Sequence, residues 1–289
     1  MSVWKPSATV AAVIEHDGRF LLVEEPVDDG AQERFVQEAF ARWRELTAKL
    51  PKESPARFPH GWYRIDYALE GDVQQLGLHD LQTVIARGKL RNTGWPMFVS
   101  LTRDDLAPYE HDGVVECWVK PEEAGVERVV TADAAHCDFW RASPNGRFML
   151  MRGYREDGEE TFVPCTLLDT TLPIWHIAEG LLHAGRMAAA LKDDGDGKIN
   201  VRFRILYTGL SGRVLRAWAN PLAGLRVDGG AARSDEALLE AVVPAKDIEV
   251  NLAAYVTPLI ASLYERFGVS GLSFEQVAAE VERFRTTRV

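Results

Sequence analysis

The chain has 289 residues, 46% hydrophobic and 26% charged, so it can bury a sizeable core and is too apolar for a disordered or collagen-like chain. Its 33 Lys and Arg against 43 Asp and Glu give a net charge of −10, which over the surface as a whole repels phosphate backbones and anionic lipid. Three cysteines, Cys117, Cys137 and Cys165, with no CxxC pair, exclude a disulfide framework and a cysteine zinc site of the usual spacing.

No apolar run approaches the ~20 residues that span a bilayer, and the opening Met1-Ser2-Val3-Trp4-Lys5-Pro6 is not a charged-then-apolar leader. These features predict a cytoplasmic chain without a membrane partner. In chain order, Ala8 to Glu15 and Arg19 to Glu25 are rich in apolar and β-branched residues and flank His16-Asp17-Gly18, which predicts a hairpin. Phe35, Ala39, Trp43, Leu46 and Leu50 then recur at helical spacing over Ala31 to Leu50, up to the stop at Pro51. Leu78 to Ala86 reads as helix; Met97 to Leu101, Gly113 to Val119 and Arg147 to Met151 read as strands. Ile174, Ile177, Ala178, Leu181, Leu182, Met187 and Leu191 form the apolar face of a helix over Leu172 to Lys192. Ile199 to Thr208 alternates Val201, Phe203, Ile205 and Tyr207 with Arg202 and Arg204, a half-buried strand whose hairpin partner is expected at Gly212 to Trp218. Two helices close the chain: Asp247 to Phe267, kinked at Pro258, and Ser273 to Arg285, opened by a Ser273/Gln276 capping box.

These runs predict an α+β fold with a mainly antiparallel sheet. Three segments are expected: 1–58, a hairpin plus helix; 59–245, the main domain; and 246–289, helices packed on it. The apolar C-terminal helices suit a homo-oligomeric interface as well as a core.

Residues 1–25 resemble the opening hairpin of Nudix hydrolases. That family holds magnesium on a helical glutamate cluster, which activates water against a pyrophosphate. Starting from Gly30, Arg44-Glu45-Leu46 fall in register with the family pattern, but Val36, Ala48 and Lys49 occupy the glutamate positions. The resemblance therefore implies no pyrophosphohydrolase activity here. A second candidate is a metal face: His176, Glu179 and His183, at i, i+3 and i+7, lie within about 60° of one another on a helix. It would make the chain a metal-dependent hydrolase, although the spacing is neither HExxH nor its inverse. Asp194-Gly195-Asp196-Gly197 has Ile199 and Ile205 where a calcium loop needs glycine and glutamate, and reads as a turn.

The third candidate is a ligand pocket. Trp, Arg and Asp recur in short clusters that include Trp95, Trp140, Arg141, Arg152, Asp157 and Arg213. Indole faces stack on bases, arginine forks grip phosphate or carboxylate, and aspartate orients. The same residues can instead form structural ion pairs, Arg152 with Asp138 or Arg141 with Asp157. The run 79–218, with TGWP, PYEHDGVVECW, DFWR, RGYRED, LPIW and TGLSGR, is similar to the region that follows the AlbA/Schlafen-type domain in bacterial proteins labelled ATP-binding or transcription-regulating. Only 78 residues precede it here, where the resemblance would require ~120 for that domain. The resemblance thus implies the companion module alone. The expectation is a non-enzymatic sensing or interaction module for a small anionic or nucleotide-like ligand, or for a protein partner, with no cofactor assigned. Nucleic-acid binding through Arg202, Arg204, Arg213 and Arg216 is a third reading, opposed by the net charge.

Overall fold

The computed structural model describes residues 15–16, 19–20, 29–90, 92–121, 133–193, 197–219, 225, 227 and 229–287. Glu15–His16 (β1) and Arg19–Phe20 (β2) pair antiparallel; the rest of the expected N-terminal hairpin, and Asp194 to Asp196, lie outside the described residues. The helix read over Ala31 to Leu50 is α1, Asp29–Thr47. Next come Trp62–Gly71 (β3), Leu78–Arg87 (α2), Tyr109–His111 (β4), Val114–Trp118 (β5), Phe139–Ser143 (β6) and Arg147–Gly153 (β7). Leu167–Asp169 (β8), Leu172–Ala190 (α3), Ile199–Tyr207 (β9), Val214–Arg216 (β10), Ala237–Pro244 (β11), Leu252–Glu265 (α4) and Phe274–Thr286 (α5) complete the order. The fold is α+β, with a seven-stranded sheet in the order β11-β9-β3-β7-β6-β5-β4 among the described residues. Every neighbouring pair in it is antiparallel.

Strand alternation gives the sheet two unlike faces. One is apolar: Ile65, Tyr67, Trp140, Phe148, Leu150, Phe203 and Ile205 are fully buried in one core with Ile177 and Leu181 of α3, Val256 and Ile260 of α4, and Val277 and Phe284 of α5. The helix α3 approaches so closely that a Cβ at Gly180 would stand 2.9 Å from the Phe203 ring. The other face carries a smaller core, in which Phe35 and Ala39 of α1 meet Phe139, Met149 and Met151. Around it lie ion pairs. Arg141 pairs with Glu116 at 3.2 Å, and Arg42 of α1 reaches the same carboxylate at 3.1 Å. Arg204 pairs with Asp66 at 2.7 Å, and Arg202 with Glu70 at 2.6 Å. Arg202 and Arg204 are therefore half-buried and neutralised, not a free basic face.

Two expectations are corrected. Met97 to Leu101 is not a strand: its carbonyls bond side chains, with Trp140 Nε1 donating to Val99 O (2.9 Å) and Lys89 Nζ to Ser100 O (2.8 Å). Val214–Arg216 is not the hairpin partner of β9, because β3 and β11 occupy both edges of that strand; it runs parallel to β8, Val214 opposite Leu167. Pro258 lies inside α4, and the Ser273/Gln276 capping box forms as read. Among the described residues no helix is long and apolar enough to cross a membrane.

Asp169 ties this arrangement together. Its fully buried carboxylate accepts at Oδ1 from Thr171 N, Thr171 Oγ1 and Leu172 N (2.6, 2.7 and 2.8 Å), which satisfies the start of α3. At Oδ2 it accepts from Trp218 N (2.9 Å) and Ala219 N (3.0 Å), fixing the exit from β10. Asp169→Ala leaves several buried donors unpaired, at about 1–3 kcal/mol each. Chemical denaturation of this variant is expected to show a loss of more than about 3 kcal/mol; a loss under about 1 kcal/mol contradicts the assignment.

Candidate functional site

Four of the six residues expected to hold a ligand gather at one end of the sheet, where β3 and β6 begin and β7 and β9 end. Arg152, the sixth residue of β7, points into the apolar face with 4% of its surface exposed. Its guanidinium grips Asp138 through two bonds, Nε to Oδ1 at 2.7 Å and Nη2 to Oδ2 at 2.6 Å. The remaining donors reach Trp95 O (3.2 Å), Pro96 O (3.0 Å) and the Tyr63 hydroxyl (3.4 Å). Trp95 Nε1 donates to Asp138 Oδ2 at 3.2 Å, and the indole meets the His136 ring edge-on at 4.9 Å. Arg152 is thus a clamp that fixes the loop 93–97 on the sheet.

Arg213 and Asp157 form a second clamp beside the first. Their two bonds measure 2.6 and 2.9 Å, and Arg213 is fully buried. Arg213 also donates to Gly209 O (2.7 Å), Leu167 O (2.8 Å) and His60 O (2.6 Å), and covers the Tyr154 ring at 4.5 Å. The close approach behind it needs glycine: Gly61 has φ +107°, and a Cβ there would lie 2.7 Å from Thr208 O. Tyr63, Tyr154 and Tyr207 link the two clamps, with ring centroids 6.1 to 6.5 Å apart.

The other two expected residues do not face this end. Trp140 is a fully buried core side chain. Arg141 projects to the opposite face, toward Glu116 and α1. Its partner is not Asp157, whereas the Arg152–Asp138 pair forms as read. The six therefore do not line one pocket.

His176, Glu179 and His183 share a helix but not a centre. His176 stacks on Tyr63 at 4.6 Å; His183 stacks on Phe98 at 4.5 Å with Nδ1 2.8 Å from the Tyr67 hydroxyl. Burial lowers both histidines to about 3, with Arg152 adding at His176. Among the described residues no three His, Cys, Asp or Glu side chains are arranged to hold a metal ion.

Sequence reasoning missed the exposed rim over the second clamp. The Arg155 guanidinium lies 5.5 Å over the Trp218 ring, and that of Arg216 lies 5.8 Å over Phe162. The two rings meet edge-on at 5.6 Å. Both arginines are exposed. Arg155 has one described ion pair, to Glu159 at 3.7 Å; Arg216 has none among the described residues. Also exposed there are His60 and Cys165, 105 residues apart, with Sγ 3.6 Å from Nδ1. Cys165 adopts a left-handed φ of 64°, unusual for a side-chain-bearing residue. Elsewhere, an open cavity of about 470 Å³ between α3 and α5 has Leu182, Ile248 and Phe284 on its walls and Arg186, Lys246 and Arg285 around it.

Glu179 is buried and pushed up to about 7, chiefly by desolvation, against hydrogen bonds from Thr93 and Met97. Its Oε2 lies 2.7 Å from Thr93 Oγ1, which lies 3.1 Å from Trp95 O. One hydroxyl hydrogen cannot serve both; a protonated Glu179 donating to Thr93, which donates on to Trp95 O, satisfies the chain. The unfolded carboxyl ionises near 4.5 and the folded one near 7, so this group's contribution to stability is full below 4.5 and is lost as pH rises to 7. Glu179→Gln copies the protonated form and lacks that loss. Its melting temperature relative to wild type should rise between pH 4.5 and pH 8, by the equivalent of roughly 3 kcal/mol; a difference flat with pH contradicts this protonation. Comparison of the chain with protein-family models, curated proteins and solved structures returns no match.

Proposed function

We propose that the chain is a non-enzymatic binding module for a small anionic, nucleotide-like ligand, held at the rim of Arg155, Phe162, Arg216 and Trp218. The observation that carries this reading is the pairing of two exposed guanidinium groups with two aromatic rings, at 5.5 and 5.8 Å. A planar base can stack on or between aromatic faces while arginine forks hold phosphate oxygens in two-point contact. On a chain of net charge −10, a local surplus of cations is where an anion is drawn. The buried arginines contribute indirectly: Arg213 and Asp157 neutralise each other and support the rim. The companion-module resemblance of residues 79–218 fits the same ligand class, but the comparisons lend it no support and the reading rests on the rim.

The test is calorimetric titration with ATP. Because Arg155 and Arg216 are exposed, Arg155→Glu/Arg216→Glu should keep the wild-type melting temperature within about 0.5 kcal/mol of stability. Its ATP affinity should fall at least about tenfold, since each charge-assisted bond contributes roughly 1.5–3 kcal/mol. Equal affinity for the two chains, or no ATP binding by wild type, removes the rim as the ligand site.

A further inference from the structure

We infer that Cys165 and His60 form a thiol–disulfide exchange site, in which His60 takes the thiol proton and Cys165 is modified by a low-molecular-weight disulfide. The inference does not rest on the rim reading.

Its first support is that nucleophile and base are adjacent and both open to solvent: Cys165 Sγ lies 3.6 Å from His60 Nδ1 and 3.7 Å from His60 O. That is the arrangement that activates a cysteine through a neighbouring base. Its second support is independent of the side-chain contact. The two arms of one buried ion pair hold the two backbones: Asp157 Oδ1 accepts from Cys165 N at 2.9 Å, and Arg213 Nη2 donates to His60 O at 2.6 Å. Asp157 and Arg213 grip each other at 2.6 Å, so segments 105 residues apart are set in fixed relation. Arg213 and Asp157 are positioning residues for this pair.

The chemistry balances without a further reactant. The Cys165 S–H proton moves to Nδ1 of the neutral imidazole, and the thiolate attacks one sulfur of R–S–S–R. The Cys165–S–S–R bond forms as the S–S bond of the small molecule breaks. The departing thiolate, now reduced, recovers the proton from His60; the Cys165 sulfur is oxidised and the disulfide is the oxidant. Partial burial and Asp157 push the thiol up while Arg213 draws it down, so little thiolate stands ready and the proton acceptor governs the rate. Cys117 and Cys137 are fully buried, so a mixed disulfide at Cys165 persists until an external thiol removes it.

The experiment incubates the full native chain with glutathione disulfide and follows adducts by intact mass and peptide mapping. One glutathionyl group is expected, at Cys165, reversed by dithiothreitol and absent in Cys165→Ser. His60→Ala, at an exposed position, should melt as wild type and react at least about tenfold more slowly. Three results would each overturn the inference: reaction of His60→Ala at the wild-type rate, equal labelling of Cys117 or Cys137 in the native chain, or a native Cys165 that stays unmodified while the urea-unfolded chain reacts.

Discussion

Two buried arginine–aspartate pairs hold one end of the sheet, and the surface geometry there depends on them. Arg152 and Asp138 meet at 2.6 and 2.7 Å, Arg213 and Asp157 at 2.6 and 2.9 Å. Burying such charges costs several kcal/mol per ion, recovered only when every donor and acceptor finds a partner. Both arginines meet that condition by donating to loop carbonyls as well as to carboxylates. Each pair is therefore a knot: Arg152 gathers the loop 93–97, and Arg213 gathers residues 60, 167 and 209.

This arrangement separates two roles that side-chain chemistry alone leaves merged. An arginine that satisfies five donors inside the protein has none left for a ligand. Arg152 and Arg213 stand in that position; Arg155 and Arg216, two or three residues further along the chain, stay exposed. Scaffold and surface thus alternate along the same short stretches. Asp169 extends the logic by serving five donors from two segments, so the start of α3 and the exit of β10 are fixed against one carboxylate.

The apolar periodicity of α3, the alternation of β9 and the capping box of α5 were legible because one pattern governs each. The strand β3 was not, since Arg64 and Asp66 stand at buried positions of its second face and break the expected alternation. Met97 to Val99 read as strand because they are apolar and buried, yet side chains, not a ladder, satisfy their carbonyls. The gathering of Trp95, Arg152, Asp157 and Arg213 was legible as composition; their burial was not, since it depends on partners 14 to 57 residues away. The His60–Cys165 contact, across 105 residues, left no local signal at all.

The account places ligand contact on the exposed rim and keeps the buried clamps as support. Amide hydrogen exchange of the intact chain, with and without ATP, addresses that division directly. The account predicts that added protection concentrates in peptides covering 155–163 and 214–219. Protection concentrated instead in 93–97 and 138–152, with the rim unchanged, would show that the first clamp opens to receive ligand and would contradict it.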